Sequence, residues 1–407
     1  MCVSLSQCKK QEQFVNIPDS NFLIALLQQG IDNDGDGKIS NSEAEVVNFL
    51  SLIDKNISDI TGIESFISLD SLVCSENLLN TLDITKNTGL LHLDCSHNSL
   101  ETLDISKNTA LKTLVCLDNH LNILNLTANT ALTALSCDEN QLSDLSVTNN
   151  TGLKYLSCNN NLLKSLDISK CAALQGLYCD NNQLIALDVT ENMSLTILYC
   201  SINQLTKLDL SHNTALIGLV CLGNQITDLD LSMNIALKGL LCHYNQLSTL
   251  NVTNNIALVD LACYNNLLTS LDVSNNIDLV SLYCGSNQLG TLDLSSNTSL
   301  QRLGCEMNQL INLDISKNAL LNQIDCSHNR LTVFDVSLNP GMTYLNCGGN
   351  EITKLDLTGN SELQQLYLKD MLSLSKVCVW TVPFPPSGLE LLTTGSPKVT
   401  FSTDCSK

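Results

Sequence analysis

The chain has 407 residues, and 20 Lys and Arg against 41 Asp and Glu give a formal net charge of −21. This acidity argues against a nucleic-acid-binding protein, which needs basic patches that neutralise phosphates. Apolar residues make up 44% of the chain and aromatic residues 4%, which excludes wholesale disorder and predicts an aliphatic core. Apolar runs stay short of the roughly 18 residues that a membrane span needs, so we expect no transmembrane segment.

The first segment, residues 1–13, lacks the apolar stretch of a signal peptide. Its Leu5-Ser6-Gln7-Cys8 weakly resembles the end of a lipoprotein signal, with Cys8 as the lipidated residue. We expect this segment to be a signal remnant or disordered, and the protein to be secreted or held at the cell surface. A truncated chain and a cytoplasmic protein remain the alternatives.

Residues 14–56 are predicted to form a small helical cap around one acidic loop. Residues 32–43 satisfy the pattern D-x-[DN]-x-[DN]-G-x5-E and resemble the EF-hand loop. That resemblance implies a Ca²⁺ site with these ligands: Asp32, Asp34, Asp36, the Lys38 carbonyl, Ser40 and Glu43. We expect one helix from Asp19 or Ser20 to Gln29, and a second from about Asn41 to Leu50. An acidic turn that binds no metal is the alternative.

A strict repeat follows over residues 57–360. Fourteen cysteines lie 21 residues apart without a gap, from Cys74 to Cys347. Counted from the cysteine as position 0, Asn fills +3 throughout, aliphatic residues dominate +5, +8 and +10, and Asn fills +13 except at Cys171. A fixed period of this length predicts a solenoid in which each unit stacks on its neighbours.

The repeat resembles the leucine-rich repeat, close to the bacterial internalin type. The family pattern L-x-x-L-x-L-x-x-N/C-x-L matches from Leu111 to Leu121 through Cys116 and Asn119, and a second partial match begins at Leu121. We therefore expect a mostly β coil with little helix. Because alternate strand residues face opposite sides, short strands are predicted both at Leu-x-Cys and at Leu-Asp-Leu.

Cysteine at this spacing allows two interpretations. The thiols form either a buried column of small apolar side chains or a set of metal ligands and disulfides. Parallel Cβ directions in a stacked column suit disulfide geometry poorly, and Cys-x-x-Cys is absent from the sequence. We therefore expect a buried column. Beyond the repeats, residues 361–407 are predicted to form a C-terminal cap in which Cys378 and Cys405 pair in an oxidising compartment.

Two outward-facing columns differ in character. Position +9 is Asp in eleven units, which predicts either a solvated polar face or a surface for cations or a basic partner. Position −1 and its neighbours become apolar and aromatic in the middle of the array. The predicted partner-binding residues are Tyr178, Tyr199, Val220, Leu222, Leu241, His243, Tyr244, Tyr264 and Tyr283. Such a patch is typical of a contact surface, although unconstrained variation between repeats would also produce it.

No catalytic motif stands out, since the six His are scattered and the sequence contains no phosphate loop, dinucleotide loop or nucleophile elbow. We therefore expect a non-enzymatic, monomeric recognition or adhesion scaffold that binds protein or glycan. Similarity to internalins implies attachment at a cell surface, but a fold alone does not determine function. The alternative is a structural extracellular spacer, stabilised by calcium, without a specific ligand.

Overall fold

The computed structural model describes residues 13–404 of the chain, which forms two compact units, Met1–Gln183 and Leu184–Lys407. The first unit begins with helix α1 (Ser20–Gln28), capped by the Asp19 carboxylate, which accepts hydrogen bonds from the backbone N–H groups of Asn21 and Phe22. Gly30 follows with φ of +73°, a conformation that suits glycine after a helix end. The first predicted helix is thus confirmed.

The second predicted helix is shorter than expected. Helix α2 spans only Asn41–Ala44, with a capping box between Ser40 and Glu43 at its start. The chain then enters strand β1 (Phe49–Ser51), which pairs with the first strand of the repeats. The expected extension to Leu50 is wrong because Leu50 is needed as a buried core residue of that strand.

The first unit continues as a parallel stack of three-residue strands, with a short 3-10 turn at Ile63–Ser65 between β1 and β2. Each strand pairs in register with the next, 21 or 22 residues further along the chain. The strands that follow β1 are β2 (Ser71–Val73), β3 (His92–Asp94), β4 (Thr113–Val115), β5 (Ala134–Ser136), β6 (Tyr155–Ser157) and β7 (Gly176–Tyr178).

The second unit repeats this pattern and adds a small three-stranded sheet near its C-terminal end. The strands of its main sheet are β8 (Ile197–Tyr199), β9 (Gly218–Val220), β10 (Gly239–Leu241), β11 (Asp260–Ala262), β12 (Ser281–Tyr283), β13 (Arg302–Gly304), β14 (Gln323–Asp325), β15 (Tyr344–Asn346), β17 (Gln365–Tyr367) and β19 (Glu390–Leu392). The small sheet contains β16 (Lys354–Asp356), β18 (Lys376–Cys378) and β20 (Thr400–Ser402).

The core of each unit is aliphatic, as composition predicts. The central leucine or isoleucine of every repeat strand is buried, and so are the aliphatic residues at +5, +8 and +10. Each buried leucine contributes about 1.5–3 kcal/mol relative to an exposed one. The mostly β solenoid with a small helical cap is confirmed.

The fourteen repeat cysteines are buried thiols, each with no exposed surface. Burial raises the pKa of Cys221 to about 12, so this thiol stays protonated at neutral pH. A protonated, buried thiol is a poor metal ligand and a poor nucleophile. The predicted apolar column is therefore confirmed.

The asparagines at +3, which we name the strand-side asparagines, join consecutive coils. The Asn224 side-chain NH₂ donates to the carbonyls of Cys200 and Cys221 at 3.0 and 3.1 Å, and its Oδ1 accepts from the Leu205 N–H at 3.0 Å. The same bonds recur in both units, for example at Asn98. The predicted role of this column, satisfying buried turn backbone, is confirmed.

The asparagines at +13, which we name the turn-side asparagines, are buried but less completely bonded. The Asn234 side-chain NH₂ donates to the carbonyls of Leu210 and Asn213 in the preceding coil, at 3.1 and 2.9 Å. Its Oδ1 has no hydrogen-bond partner among the described residues. Cys171 occupies this position in one coil, and its thiol lies 3.6 and 3.7 Å from two carbonyls of the preceding coil.

The predicted strands at Leu-Asp-Leu are wrong for most coils. Within residues 13–404, only β16 (Lys354–Asp356) forms a strand at that position. The +9 carboxylate accepts the N–H two residues later, as Asp209 does from Ser211 at 3.0 Å. Asp356 of β16 makes the same bond with Thr358 at 2.9 Å, so this local turn is compatible with a strand. What distinguishes β16 is its parallel ladder with β18.

The sheets extend past the predicted repeat boundaries. Strand β1 precedes residue 57, and β17 and β19 follow residue 360. Leu368 stands where the next cysteine is due and is fully buried. In the part of the chain that the structure describes, no helix has the length and apolarity that crossing a membrane requires.

Candidate recognition face

The strands present one outward surface in each unit, which we name the strand face. Because the middle residue of each three-residue strand points into the core, positions −3, −1 and +1 around the cysteine point outward. These positions vary freely between repeats, whereas positions −2, 0 and +3 hold the coil together. Chemistry specific to this protein is therefore concentrated on the strand face.

In the first unit the predicted patch contributes Tyr178, half-buried on β7. A Cβ added at Gly176 would lie 3.1 Å from Tyr155 Cδ1 and 3.2 Å from Tyr178 Cε2, so both rings pack beside this glycine. Tyr155 is 50% exposed, and its hydroxyl donates to Gln175 at 3.1 Å. The prediction missed Tyr155 because it compared position −1 and the positions just after the cysteine, and Tyr155 occupies −3.

In the second unit the predicted residues follow one another along β8 to β12. The half-buried ones are Tyr199, Val220, Leu222, Leu241 and Tyr264. Tyr244 and Tyr283 are more exposed, at 54% and 37%. Because consecutive parallel strands lie about 4.8 Å apart, these side chains form one continuous apolar and aromatic surface.

His243 lies beneath this surface and is only 7% exposed. Its ring stacks on Tyr264 with centroids 4.1 Å apart, and Tyr244 meets Tyr264 edge to face at 5.4 Å. Burial lowers the pKa of His243, while a hydrogen bond with the Ala262 backbone opposes that shift. A neutral His243 thus supports the Tyr264 ring from below and offers little surface of its own.

Beyond Tyr283 the strand face forms a depression of about 260 Å³. Its polar and aromatic lining comes from Tyr283, Arg302, Glu306, Asp325 and Tyr344. The sequence prediction named only Tyr283 among these five residues. Asp325 also occupies position −1, but it lies beyond the apolar run, and the other three occupy positions −3 and +1. A comparison of positions −3, −1 and +1 together in the sequence would have identified these residues.

The acidic N-terminal loop has a geometry that fits a cation. Carboxylate oxygens of Asp32, Asp34 and Asp36 all lie within 4.8 Å of one another. The Asp32 carboxylate accepts the N–H groups of Gly35 and Gly37 at 2.7 and 2.9 Å, and these bonds hold its pKa below the usual value. Three converging carboxylates suit a hard divalent ion.

The remaining predicted ligands surround the same loop. The Glu43 carboxylate accepts the Ser40 N–H at 2.8 Å and the Asn33 N–H at 2.6 Å, which keeps it at the loop while it caps α2. Its pKa is lowered by these bonds against the opposing effect of burial. Gly37 has φ of +80°, which permits the sharp turn, and Lys38 follows it with its N–H bonded to Asp36.

Comparison with solved structures identifies the family. The functional domain of InlJ from Listeria monocytogenes, described as including a cysteine ladder, is 34% identical to this chain. The match covers 91% of this chain and 77% of that one, with a TM-score of 0.77. The chain belongs to the bacterial internalin-like leucine-rich-repeat family. No protein-family model matches this sequence, and no curated protein does.

Two further bacterial structures share the fold. An internalin from Listeria monocytogenes, InlF, is 25% identical over 75% of this chain and 94% of its own, with a TM-score of 0.67. A leucine-rich-repeat protein from Leptospira interrogans shares the fold at 23% identity, covering 83% of this chain and 91% of its own, with a TM-score of 0.72.

On the turn side of this internalin-like solenoid, the +9 aspartates serve the backbone. The Asp83 Oδ1 accepts the Thr85 hydroxyl and N–H at 2.7 and 3.0 Å, and these two bonds lower its pKa. Asn125 makes the same bonds with Thr127 at 2.7 and 3.1 Å. Because a neutral amide replaces the carboxylate there, charge at +9 is not required for the turn.

The predicted disulfide lies at the C-terminal end. Cys378 ends β18 in the small sheet and is disulfide-bonded. Cys405 lies outside the described residues, as do residues 1–12 with Cys8. The pairing of Cys378 with Cys405 stays a prediction.

Proposed function

We propose that this protein is a non-enzymatic recognition scaffold of the cell exterior, secreted or surface-attached, that binds a protein ligand as a monomer. The observation that carries the proposal is the continuous apolar and aromatic surface on β8 to β12 of the second unit. Monomeric proteins seldom expose such patches without a partner, and tyrosine is a frequent energetic anchor in interfaces. The outward positions supply specificity while the buried positions keep the backbone rigid.

A direct test compares two sets of apolar substitutions. The face variant replaces Tyr199, Leu241 and Tyr264 by Ser. The matched control replaces Ile235, Ile256 and Ile277 by Ser, because these isoleucines are 60%, 60% and 56% exposed and occupy position +14, away from the strand face. Binding to arrays of purified extracellular proteins and of glycans is measured for both, together with melting temperature.

We expect the control to bind a protein ligand like the wild type and the face variant to lose at least tenfold in affinity at an unchanged melting temperature. Equal binding by the face variant would place the contact elsewhere. Binding to glycans alone would support glycan recognition, and no binding to either array would favour a structural spacer.

The proposal also assigns one Ca²⁺ to the N-terminal loop, held by Asp32, Asp34, Asp36, the Lys38 carbonyl, Ser40 and Glu43. A bound ion stabilises the folded state by an amount that grows with its concentration relative to the dissociation constant. By neutralising the converging carboxylates, the ion would fix the loop between α1 and α2. It would thereby protect the end of the sheet that β1 forms.

Calorimetric titration should give one equivalent of calcium per chain, and millimolar calcium should raise the melting temperature. Asp34→Asn should abolish both the binding of one calcium equivalent and the rise in melting temperature. Substituting an exposed aspartate of the second unit, Asp228→Asn, should change neither. An identical melting curve in calcium and in chelator would refute the site.

A further inference from the structure

We propose that the depression between Tyr283 and Tyr344 binds a single lysine or arginine side chain of the protein ligand. This inference rests on the proposed function, since it names the chemistry that one part of the strand face recognises. It concerns β12 to β15, a region that the apolar patch does not include except at Tyr283.

Two glycines make room for the side chains that line the depression: Gly304 is part of the lining, and Gly285 lies on the preceding coil. A Cβ at Gly304 would lie 2.9 Å from Tyr283 Cδ1, so the tyrosine ring rests over the glycine. A Cβ at Gly285 would collide with the Glu306 carboxylate, so that carboxylate lies across the neighbouring coil. Glycine at these positions therefore leaves room for the Tyr283 ring and the Glu306 carboxylate, which both line the depression.

The charge in the depression is negative and incompletely compensated. No donor from another residue among residues 13–404 forms a hydrogen bond with the half-buried Glu306 carboxylate. Burial raises the pKa of Glu306, and the negative charge of Asp325 raises it further. An arriving cation would relieve both effects, because it replaces lost solvation and offsets the repulsion.

The one cationic side chain in the lining is turned away. The Arg302 guanidinium donates to the Ser281 hydroxyl at 2.6 and 3.1 Å, and its nearest acid is Asp260 at 3.8 Å. Asp325 is held in place by Asn346, whose NH₂ donates to it at 2.8 Å. Asp325 is thus positioned in advance, and Glu306 beside it has no cationic partner among the described residues.

The size and walls favour one cationic side chain over a larger ligand. The volume of about 260 Å³ lies below the roughly 300–1,000 Å³ typical of small-molecule pockets. Tyrosine rings attract an ammonium or guanidinium group, an interaction worth about 0.5–2 kcal/mol. The chain's formal charge of −21 also favours encounter with a basic partner.

The test uses the full chain and defined probes. N-acetyl-arginine amide and N-acetyl-lysine amide are titrated by saturation-transfer NMR, with N-acetyl-citrulline amide as the uncharged isostere of the arginine probe. We expect millimolar binding of both cationic probes and at least tenfold weaker binding of citrulline. Glu306→Gln and Tyr283→Leu should each weaken the cationic probes several-fold, whereas Glu351→Gln, a matched exposed acid, should leave them unchanged.

Equal binding of citrulline, or full binding by Glu306→Gln, would overturn the inference. The outcome is separable from the proposed function, since the probes need no partner protein. If a protein ligand binds the wild type and not the face variant while the probes fail to bind, recognition stands and the cation pocket is wrong. If the probes bind and no protein ligand does, the pocket stands and the proposed function fails.

Discussion

The strand side and the turn side of each coil use asparagine in different ways. The strand-side Asn224 uses both ends of its amide and links two coils through donors and an acceptor. The turn-side Asn234 donates to two carbonyls, but its Oδ1 is buried without a partner among the described residues. The asparagine amide thus has hydrogen-bond partners for both its NH₂ and its Oδ1 on the strand side, but only for its NH₂ on the turn side.

The largest expected effect comes from removing a strand-side amide. Asn224→Ala leaves the buried Leu205 N–H without a partner, so we expect a loss of about 2–3 kcal/mol. The Cys200 and Cys221 carbonyls each lose one bond but still accept from Asn203 and Asn245. Asn234→Ala also removes the cost of the unsatisfied Oδ1, so its loss should be only about 1–2 kcal/mol. Urea unfolding of the two variants measures the difference, and equal losses would remove the distinction between the columns.

A second substitution tests backbone strain at the strand-side turn. The residue at +2 has positive φ in all fourteen coils, and Ile202, with φ of 50°, is β-branched. Asn265 occupies the equivalent position with φ of 51°. We expect Ile202→Asn to gain about 1 kcal/mol and Asn265→Ile to lose about as much, since asparagine tolerates this region. The thermal unfolding midpoint of each variant measures the change, and shifts of the same sign would contradict it.

A third prediction uses the natural exception on the turn side. Cys171 occupies the asparagine position in its coil, with its sulfur near two carbonyls. Asn234→Cys should therefore cost less than Asn234→Ala, within about 1 kcal/mol of the wild type. Asn224→Cys should remain costly, because a thiol cannot serve one acceptor role and several donor roles together. Denaturant midpoints that rank the two cysteine variants equally would argue against this account.

The smallest effect concerns charge at +9. Serine hydroxyl and backbone groups two residues later lower the pKa of Asp230, Asp272 and Asp293 below the usual 3.8. A carboxyl with a lower pKa in the folded chain stabilises above its unfolded pKa and loses that effect as pH falls through the folded value. Replacing all three by Asn should leave stability at pH 7 nearly unchanged and reduce the loss between about pH 5 and pH 3. Circular dichroism across that range tests this, and equal acid sensitivity would refute it.

Periodicity made the solenoid predictable. A 21-residue step fixes which residues stack, so the buried cysteines and the bonding of the strand-side asparagines followed from spacing. The strands expected at Leu-Asp-Leu did not follow, because alternation of apolar residues sets which side chains are buried but does not specify a backbone ladder with the next coil. Among the described Leu-Asp-Leu segments, β16 has such a ladder, with β18. The same alternation of apolar residues occurs at Leu-x-Cys, which forms a strand, and at Leu-Asp-Leu, which mostly does not. The pattern alone therefore does not distinguish the two.

The candidate sites were predictable to different degrees. The residues proposed to bind calcium are close in sequence, so one motif names them together. The depression at Glu306 is built from neighbouring coils and depends on two missing side chains, Gly285 and Gly304. When position −1 alone is compared between repeats, Gly304 is only a residue without a side chain. Its meaning appears when adjacent columns are placed side by side in three dimensions.

The inter-coil bonds have a consequence for how such a gene can change. Most turn-side asparagines reach carbonyls 21 and 24 residues earlier, as Asn255 does with Asn234 and Leu231. After removal or duplication of whole 21-residue segments, each turn-side asparagine still faces equivalent carbonyls in the preceding coil. An insertion whose length is not a multiple of 21 residues breaks this correspondence. Recombination between repeats can thus rearrange the outward side chains and alter what is recognised while the scaffold keeps its hydrogen bonds.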